Sequence, residues 1–450
     1  MKSADVLVIG GSAAGPTAGI SSRRRYPDKS VVLIRKEEQV LVPCGIPYIF
    51  GTVGTPEKNL IPDALLEKNG IELVKGNVVT IDRGQKRVVL ESGEEVGYDK
   101  LILATGSLPI DLPIPGLDKE NVFIVKKDVA YLNNMLEVMN RVKDVVIIGG
   151  GFIGVEFADE CRKHRDCSDC SVSIVEILPR CLNLALDTEF CDEASEILKE
   201  NGIKVFTNSR VESILGDSKV SGVKLQGGEE LKADMVIIGI GAKPNVDLAE
   251  KAGLEIGSTK AIRVDRNMRT LTDEDIFACG DCAEKVSFFN GRLTRLMLAS
   301  IATGEARVAG ANLYGTCYSN PGAVGVFCTV VGERAFGCAG LGEAAAKKAG
   351  FNVVVGQSSG PDKHPGSMPG ASNVKLKLVF CKEKGLLLGG SASGGGSIGE
   401  LMNVIGACIQ HSVTAYDMAL FQMGTHPALT ASPIAYHLVN AAEIAVKAMR

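Results

Sequence analysis

Six residues, Gly149-Gly150-Gly151-Phe152-Ile153-Gly154, follow the apolar run Val145–Ile148 and open a helix-like stretch that reaches about Lys163. This is the G-x-G-x-x-G spacing in the context that gives it meaning, a strand before and a helix after. Gly149 permits the tight turn, Gly151 lets a pyrophosphate approach the backbone, and Gly154 lets helix and strand pack closely. Unsatisfied amides at the helix start, around Phe152 and Ile153, then meet the phosphate charge. Glu176 stands 22 residues beyond Gly154, at the end of the next strand-like run. A carboxylate there accepts hydrogen bonds from ribose hydroxyls and disfavours a 2'-phosphate, which predicts NAD(H) in preference to NADP(H).

A second loop, Gly10-Gly11-Ser12-Ala13-Ala14-Gly15, follows the run Val6–Ile9, but serine holds the middle glycine position. Its Cβ is small yet crowds a pyrophosphate. After the next strand-like run, Val31–Ile34, Arg35 and Lys36 stand where an acid is common, with Glu37 and Glu38 just beyond. Cys161, His164, Cys167 and Cys170 recur at three-residue intervals and invite a zinc reading. The first two should lie on the helix after Gly154 and the others in the loop beyond, an arrangement that does not converge on one ion, so no metal is expected. A reversible disulfide between Cys167 and Cys170 is the other reading of that pair.

The elements that must position these residues are two βαβ units, one at each loop. Between them, residues 74–91 read as short alternating strands, Leu101–Ala104 as a buried strand, and prolines 109, 113 and 115 as a crossing between domains. Residues 235–240 form another buried strand before Gly241 and Pro244, and the run from Ile276 to Gly280 leads back to the first domain. Beyond about Gly325 come strands such as Val374–Phe380, a glycine-rich turn at 394–396, and helical stretches near 400–412 and 434–448, with no third nucleotide motif. The expected fold class is α/β, with two Rossmann-like dinucleotide-binding domains and a C-terminal α+β domain suited to dimerisation.

At 450 residues the chain suggests about three domains. Hydrophobic residues at 45% and charged residues at 23% exclude a disordered composition. A net charge of -4 argues against nucleic acid as a partner. No apolar stretch of about 18 residues supports a spanning helix, and the short run Val6–Ile9 is no secretory signal, so a cytoplasmic protein without a membrane anchor is expected. Thirteen cysteines spread along the chain favour mostly reduced, buried thiols.

Further motifs carry a resemblance. Ala104-Thr105-Gly106 ends a strand after Tyr98-Asp99, and Phe277-Ala278-Cys279-Gly280-Asp281 follows Arg269-Thr270. With the two glycine loops, they make nearly the whole chain similar to the flavin-dependent pyridine nucleotide-disulfide oxidoreductases. The resemblance implies FAD in the first domain, held by Gly10, Ser12, Ala13, Ala14, Gly15, Arg35, Pro43, Ala104, Thr105, Gly106, Gly280 and Asp281. It also implies NAD(H) in the second domain, at Gly149, Gly151, Phe152, Ile153, Gly154, Glu176 and Gly241. The implied boundaries are 1–118 and 246–324 for the two parts of the FAD domain, 119–245 for the NAD(H) domain and 325–450 for the dimerisation domain. A homodimer or a dimer of dimers would follow.

Within that family, Pro43-Cys44-Gly45-Ile46-Pro47-Tyr48 resembles the branch with a single redox cysteine, which includes coenzyme A-disulfide reductases, polysulfide reductases and NADH oxidases. Ile49 occupies the position of a second cysteine. The resemblance makes Cys44 the candidate that receives electrons and attacks a small disulfide or polysulfide, and a cysteine opening a helix would have its pKa lowered. The oxygen-reducing alternative is an NADH oxidase; Ala13 stands where peroxidases of the family carry a histidine, which favours sulfur. His426, before Pro427, matches the family's acid supplied from the partner subunit, but Ala431 replaces the glutamate that would steady it. Tyr436 does not align cleanly with the tail tyrosine of the coenzyme A-disulfide reductases. Arg23, Arg24 and Arg25 are candidates for coenzyme A phosphates or simply a solvated helix end.

Overall fold

The computed structural model describes residues 2–110, 112–164 and 169–450. In the first sheet the strand Lys2–Ile9 runs parallel to both Val31–Arg35 and Glu95–Leu103. The helix Ala14–Arg25 makes the crossover. Val6, Leu7 and Val8 are fully buried, as expected of a parallel strand covered on both faces. The strand Ile276–Ala278 joins the far side of Glu95–Leu103, with Ile276 opposite Leu101. The chain therefore leaves this sheet and returns to complete it.

The second sheet is wholly parallel, ordered Val122–Ile124, Met235–Ile238, Asp144–Ile148, Ser171–Val175, Ile203–Phe206. Its glycine loop opens the helix Phe152–Lys163. The strand predicted over 235–240 stops at Ile238, although the amide of Gly239 still bonds the carbonyl of Ile148. A short antiparallel pair, Ser107–Pro109 with Ala242–Pro244, links the two nucleotide domains.

The third unit is an antiparallel five-stranded sheet ordered Val326–Val331, Arg334–Gly340, Leu387–Gly394, Asn373–Cys381, Val353–Pro361. The helices Ile398–Gln410 and His437–Ala448 pack on it through a shared apolar core. The predicted turn at 394–396 begins with the last residue of a completely buried strand, Leu387–Gly394. Its glycines hide it from propensity, and they are there for close approach: a Cβ on Gly389 would overlap the backbone of Leu341.

Candidate active site

The two phosphate loops repeat one geometry. Gly10 and Gly149 have φ of +123° and +108°, and a Cβ on Gly15 or Gly154 would overlap the carbonyl oxygen of Gly10 or Gly149. The helices that follow start without a side-chain cap and without an acid in the first turn. Their first amides are left for an anion, and a Cβ on Gly151 would meet only open space, so both loops fit a dinucleotide. Ser12 lies outside the left-handed region, so its Cβ costs no backbone strain.

In the second domain Glu176 is 7% exposed. Its carboxylate accepts from the amides of Gly150 at 2.5 Å and Leu178 at 2.7 Å, which anchors the acid against the loop. Phe152 stacks on Phe327 at 5.4 Å, and Ile153 is 40% exposed beside it in sequence. Gly241, with φ +105°, leads into the linking strand Ala242–Pro244.

The flavin-side candidates converge around the end of Glu95–Leu103. A Cβ on Gly10 would overlap the carbonyl of Ala104, and one on Gly280 would lie 3.1 Å from Ala14. Asn245 donates its amide to the carbonyl of Gly106, and its carbonyl accepts from the Thr105 hydroxyl at 2.7 Å. Ser107 donates to Asp281 at 2.8 Å, and Asp281 lines a cleft of about 200 Å³ with Thr294, Leu296 and Met297. Asp281 thus faces an open cleft that the linking strand Ala242–Pro244 also borders. Arg35, a candidate for holding the flavin, lies directly against the first loop. It is 4% exposed, packs its stem under Gly11, and commits its donors to Asp63 and to the carbonyls of Glu37 and Glu38, so it organises the loop from behind.

Cys44 is an exposed thiol in a single 3-10 turn, Pro43–Gly45, which is followed by a second turn, Pro47–Phe50. The expectation that Cys44 opens a helix is corrected here, since single 3-10 turns take its place. The amides of Gly45 and Ile46 are already bonded to the carbonyls of Val42 and Pro43, so they are not directed at the sulfur. What fixes the turn is Asn59, whose backbone and side chain both bond Val42; a Cβ on Gly45 would overlap its side-chain oxygen. Ile49 is fully buried, and Phe50 packs on Phe157 at 5.1 Å. Beyond them Glu160, 1% exposed, accepts from the amide of Thr52 at 2.6 Å and its hydroxyl at 3.0 Å.

The helix Phe152–Lys163 therefore holds the cysteine segment on one side and the C-terminal sheet on the other. Thr329 donates to Glu156 at 2.8 Å, and the amide of Gly332 donates to Asp159 at 3.0 Å. Burial pushes the Glu156 carboxyl up to about 7, against the pull of the Thr329 hydrogen bond. Burial, then the carboxylates of Glu156, Glu160 and Asp159, push the Tyr48 phenol far above its usual range, so it stays protonated. Sequence reasoning missed Asn59, Glu156 and Glu160. The one available signal was the pair of acids one turn apart on the helix that follows the second loop.

His426 sits in an exposed loop. Its Nδ1 accepts from the amide of Ala428 at 3.2 Å, so in the neutral ring the proton is on Nε2. A main-chain amide thus orients the ring where the missing carboxylate at Ala431 would have done so. His364 clasps the loop, donating its amide to Pro427 and bonding its Nδ1 to the carbonyl of Thr430, both at 3.0 Å. No hydrogen bond among the described residues joins His426 to Cys44. Arg23 is tied to the carbonyls of Pro27 and Lys29, leaving Arg24 and Arg25 exposed at the helix end. Cys161 is buried in the core near Met139, and His164 bonds Asn140. Cys167 lies outside the described residues, and among those described no group of His, Cys, Asp and Glu is arranged for a metal.

Comparison with known proteins agrees with this geometry. Residues 4–306 match the family "Pyridine nucleotide-disulphide oxidoreductase", and residues 326–434 match its dimerisation domain. The chain belongs to the pyridine nucleotide-disulfide oxidoreductases and is a flavin-dependent NAD(P)H oxidoreductase that uses FAD and a nicotinamide nucleotide. It is 34% identical over 402 residues, 88% of this chain and 89% of the other, to the CoA-dependent NAD(P)H sulfur oxidoreductase of Pyrococcus furiosus. It is 30% identical over 424 residues, 92% of each chain, to an NADH oxidase of Methanocaldococcus jannaschii. Among solved structures, the NAD-dependent persulfide reductase from A. fulgidus superposes with a TM-score of 0.89 at 31% identity, covering 98% of this chain and 83% of that one. No helix among the described residues is long and apolar enough to cross a membrane.

Proposed function

We propose that this enzyme reduces a small sulfur acceptor, coenzyme A disulfide or polysulfide, with NADH, working in the cytosol as a homodimer. The observation that carries the proposal is Cys44: an exposed thiol on a turn held rigidly from both sides, with a buried isoleucine where a second cysteine would be needed for an internal disulfide. FAD, when bound, supplies the relay for an electron pair from the nicotinamide. Cys44 as thiolate attacks one sulfur of the acceptor, forming a mixed disulfide and releasing the other sulfur as thiolate. Two electrons from NADH then cleave the mixed disulfide and regenerate Cys44. The sum is NADH + H⁺ + RSSR giving NAD⁺ + 2 RSH.

In this reading Glu176 sets the preference for NADH, and the Nε2–H of His426 of the partner subunit donates a hydrogen bond to the departing thiolate, which takes its proton from solvent. Support for the partner comes from the exposed apolar residues around His426: Leu420, Leu429 and Ile434 are 82%, 72% and 89% exposed in the single chain. A single-chain mass by light scattering at micromolar protein would contradict this part. The similarity to an NADH oxidase favours a second reading, in which oxygen is the acceptor. To test the first, reduced enzyme freed of reductant is mixed with coenzyme A disulfide and examined by mass spectrometry. The expected result is one coenzyme A on Cys44, removed by NADH; no adduct on Cys44 would contradict the mechanism.

A further inference from the structure

Beneath Asp281 lies a buried ion pair with no part in the chemistry described so far. The side chains of Lys285 and Glu305 are 4% and 3% exposed and stand 3.5 Å apart. Both grip the same residue. The amide of Gly280 donates to Glu305 at 2.9 Å, while Lys285 donates to the carbonyl of Gly280 at 2.5 Å and to that of Ala283 at 2.8 Å. The two polar groups of one glycine are thus held by opposite charges from two elements, the helix Ala299–Ala311 and the strand Lys285–Val286.

Gly280 needs this grip. Its φ of +79° is a conformation other residues rarely adopt, and it abuts both Ala14, at the start of the first loop's helix, and Ala302. Whatever orients its peptide also orients Asp281, the next residue, whose carboxylate takes the Ser107 hydroxyl at the edge of the cleft. A buried ion pair is a poor device for stability alone, since a hydrophobic pair of equal volume does as well. The other buried residues of the helix near Glu305 are alanines 302, 306 and 309, so the carboxylate stands alone on an apolar face.

We propose that Lys285 and Glu305 are positioning residues for FAD: they lock the Gly280 peptide so that Asp281 presents its carboxylate to the cofactor cleft. This rests on the reading of Asp281 as a flavin ligand. Burial pushes Glu305 up to about 7, with Lys285 and the Gly280 amide pulling it down.

The test measures the dissociation constant for FAD on diluting holoenzyme, read by flavin fluorescence, together with the visible circular dichroism of the bound flavin. Glu305→Gln, Lys285→Met and the double variant are compared with Asp281→Ala. Each single change leaves one buried charge unpaired and is expected to weaken FAD binding by about tenfold or more. The double variant leaves no lone charge and keeps an acceptor for the Gly280 amide, which guards against a single variant that does not fold. It is expected to bind FAD at least about threefold more weakly than wild type, with an altered visible spectrum. Wild-type affinity and spectrum in the double variant, while Asp281→Ala loses FAD, would overturn the positioning role. Wild-type affinity in Asp281→Ala would instead overturn the flavin-ligand reading beneath it.

Discussion

Cys44 and Glu156 differ in how they could be found. The cysteine is marked by its neighbours in sequence, Pro43 and the Gly-Ile-Pro-Tyr that follows, whereas Glu156 matters because of Thr329, far along the chain and in another domain. Asn59 bonds Val42, and Glu305 pairs with Lys285, from a neighbouring element in each case, contacts that no local pattern announces. Glu156 yields a prediction at this scale. Its carboxyl is held near 7, above the ordinary 4.5, so folding favours its protonated form. The stability this contributes is complete below about pH 4.5 and is lost as pH rises through 7. Glu156→Gln should therefore match wild type near pH 5 and exceed it at pH 8 by up to about 3 kcal/mol in urea unfolding. A gap that does not change between these pH values would show that the carboxyl is not shifted.

At the scale of elements, the strand-loop-helix units were legible because their requirements are local: a tight turn, a close approach and a free helix start. The strand Leu387–Gly394 was not, because its three glycines carry no strand propensity, and the last of them read as part of a turn at 394–396, while Gly389 is there to admit a neighbour. The cysteine turn was half legible, its residues evident but its 3-10 form and its bonded amides not. The duplicated loops can be separated by experiment. A Cβ on Gly15 or Gly154 overlaps a backbone carbonyl, so neither alanine variant keeps its loop. Gly154→Ala should raise the KM for NADH at least about tenfold and leave the flavin in place, while Gly15→Ala should be purified largely without flavin. Flavin content by absorbance and steady-state kinetics check both; loss of flavin from Gly154→Ala would contradict the assignment of the loops.

For the whole molecule, the order of nucleotide folds and the return of the chain to its first sheet follow from the motif order, but the joints between domains do not. One joint is a buried cation. Lys377, 5% exposed in the C-terminal sheet, meets Glu189 at 2.9 Å and Asp187 at 3.6 Å from the second nucleotide domain, and Glu343 at 2.8 Å. Lys377→Met leaves Asp187 buried without its cation and should cost about 3–5 kcal/mol, seen as a lower melting temperature. An unchanged melting temperature would show that the joint does not depend on this charge. The joints bring the cysteine turn, the second loop's helix and the C-terminal sheet to one place, and the sulfur chemistry we propose for Cys44 depends on that convergence. The most direct measurement is anaerobic oxidation of NADH by wild type and Cys44→Ser with coenzyme A disulfide, polysulfide and oxidised glutathione in turn. Turnover on coenzyme A disulfide or polysulfide that vanishes in Cys44→Ser is the predicted result. Reduction of none of them, with air restoring NADH consumption equally in both proteins, would contradict it and make oxygen the acceptor.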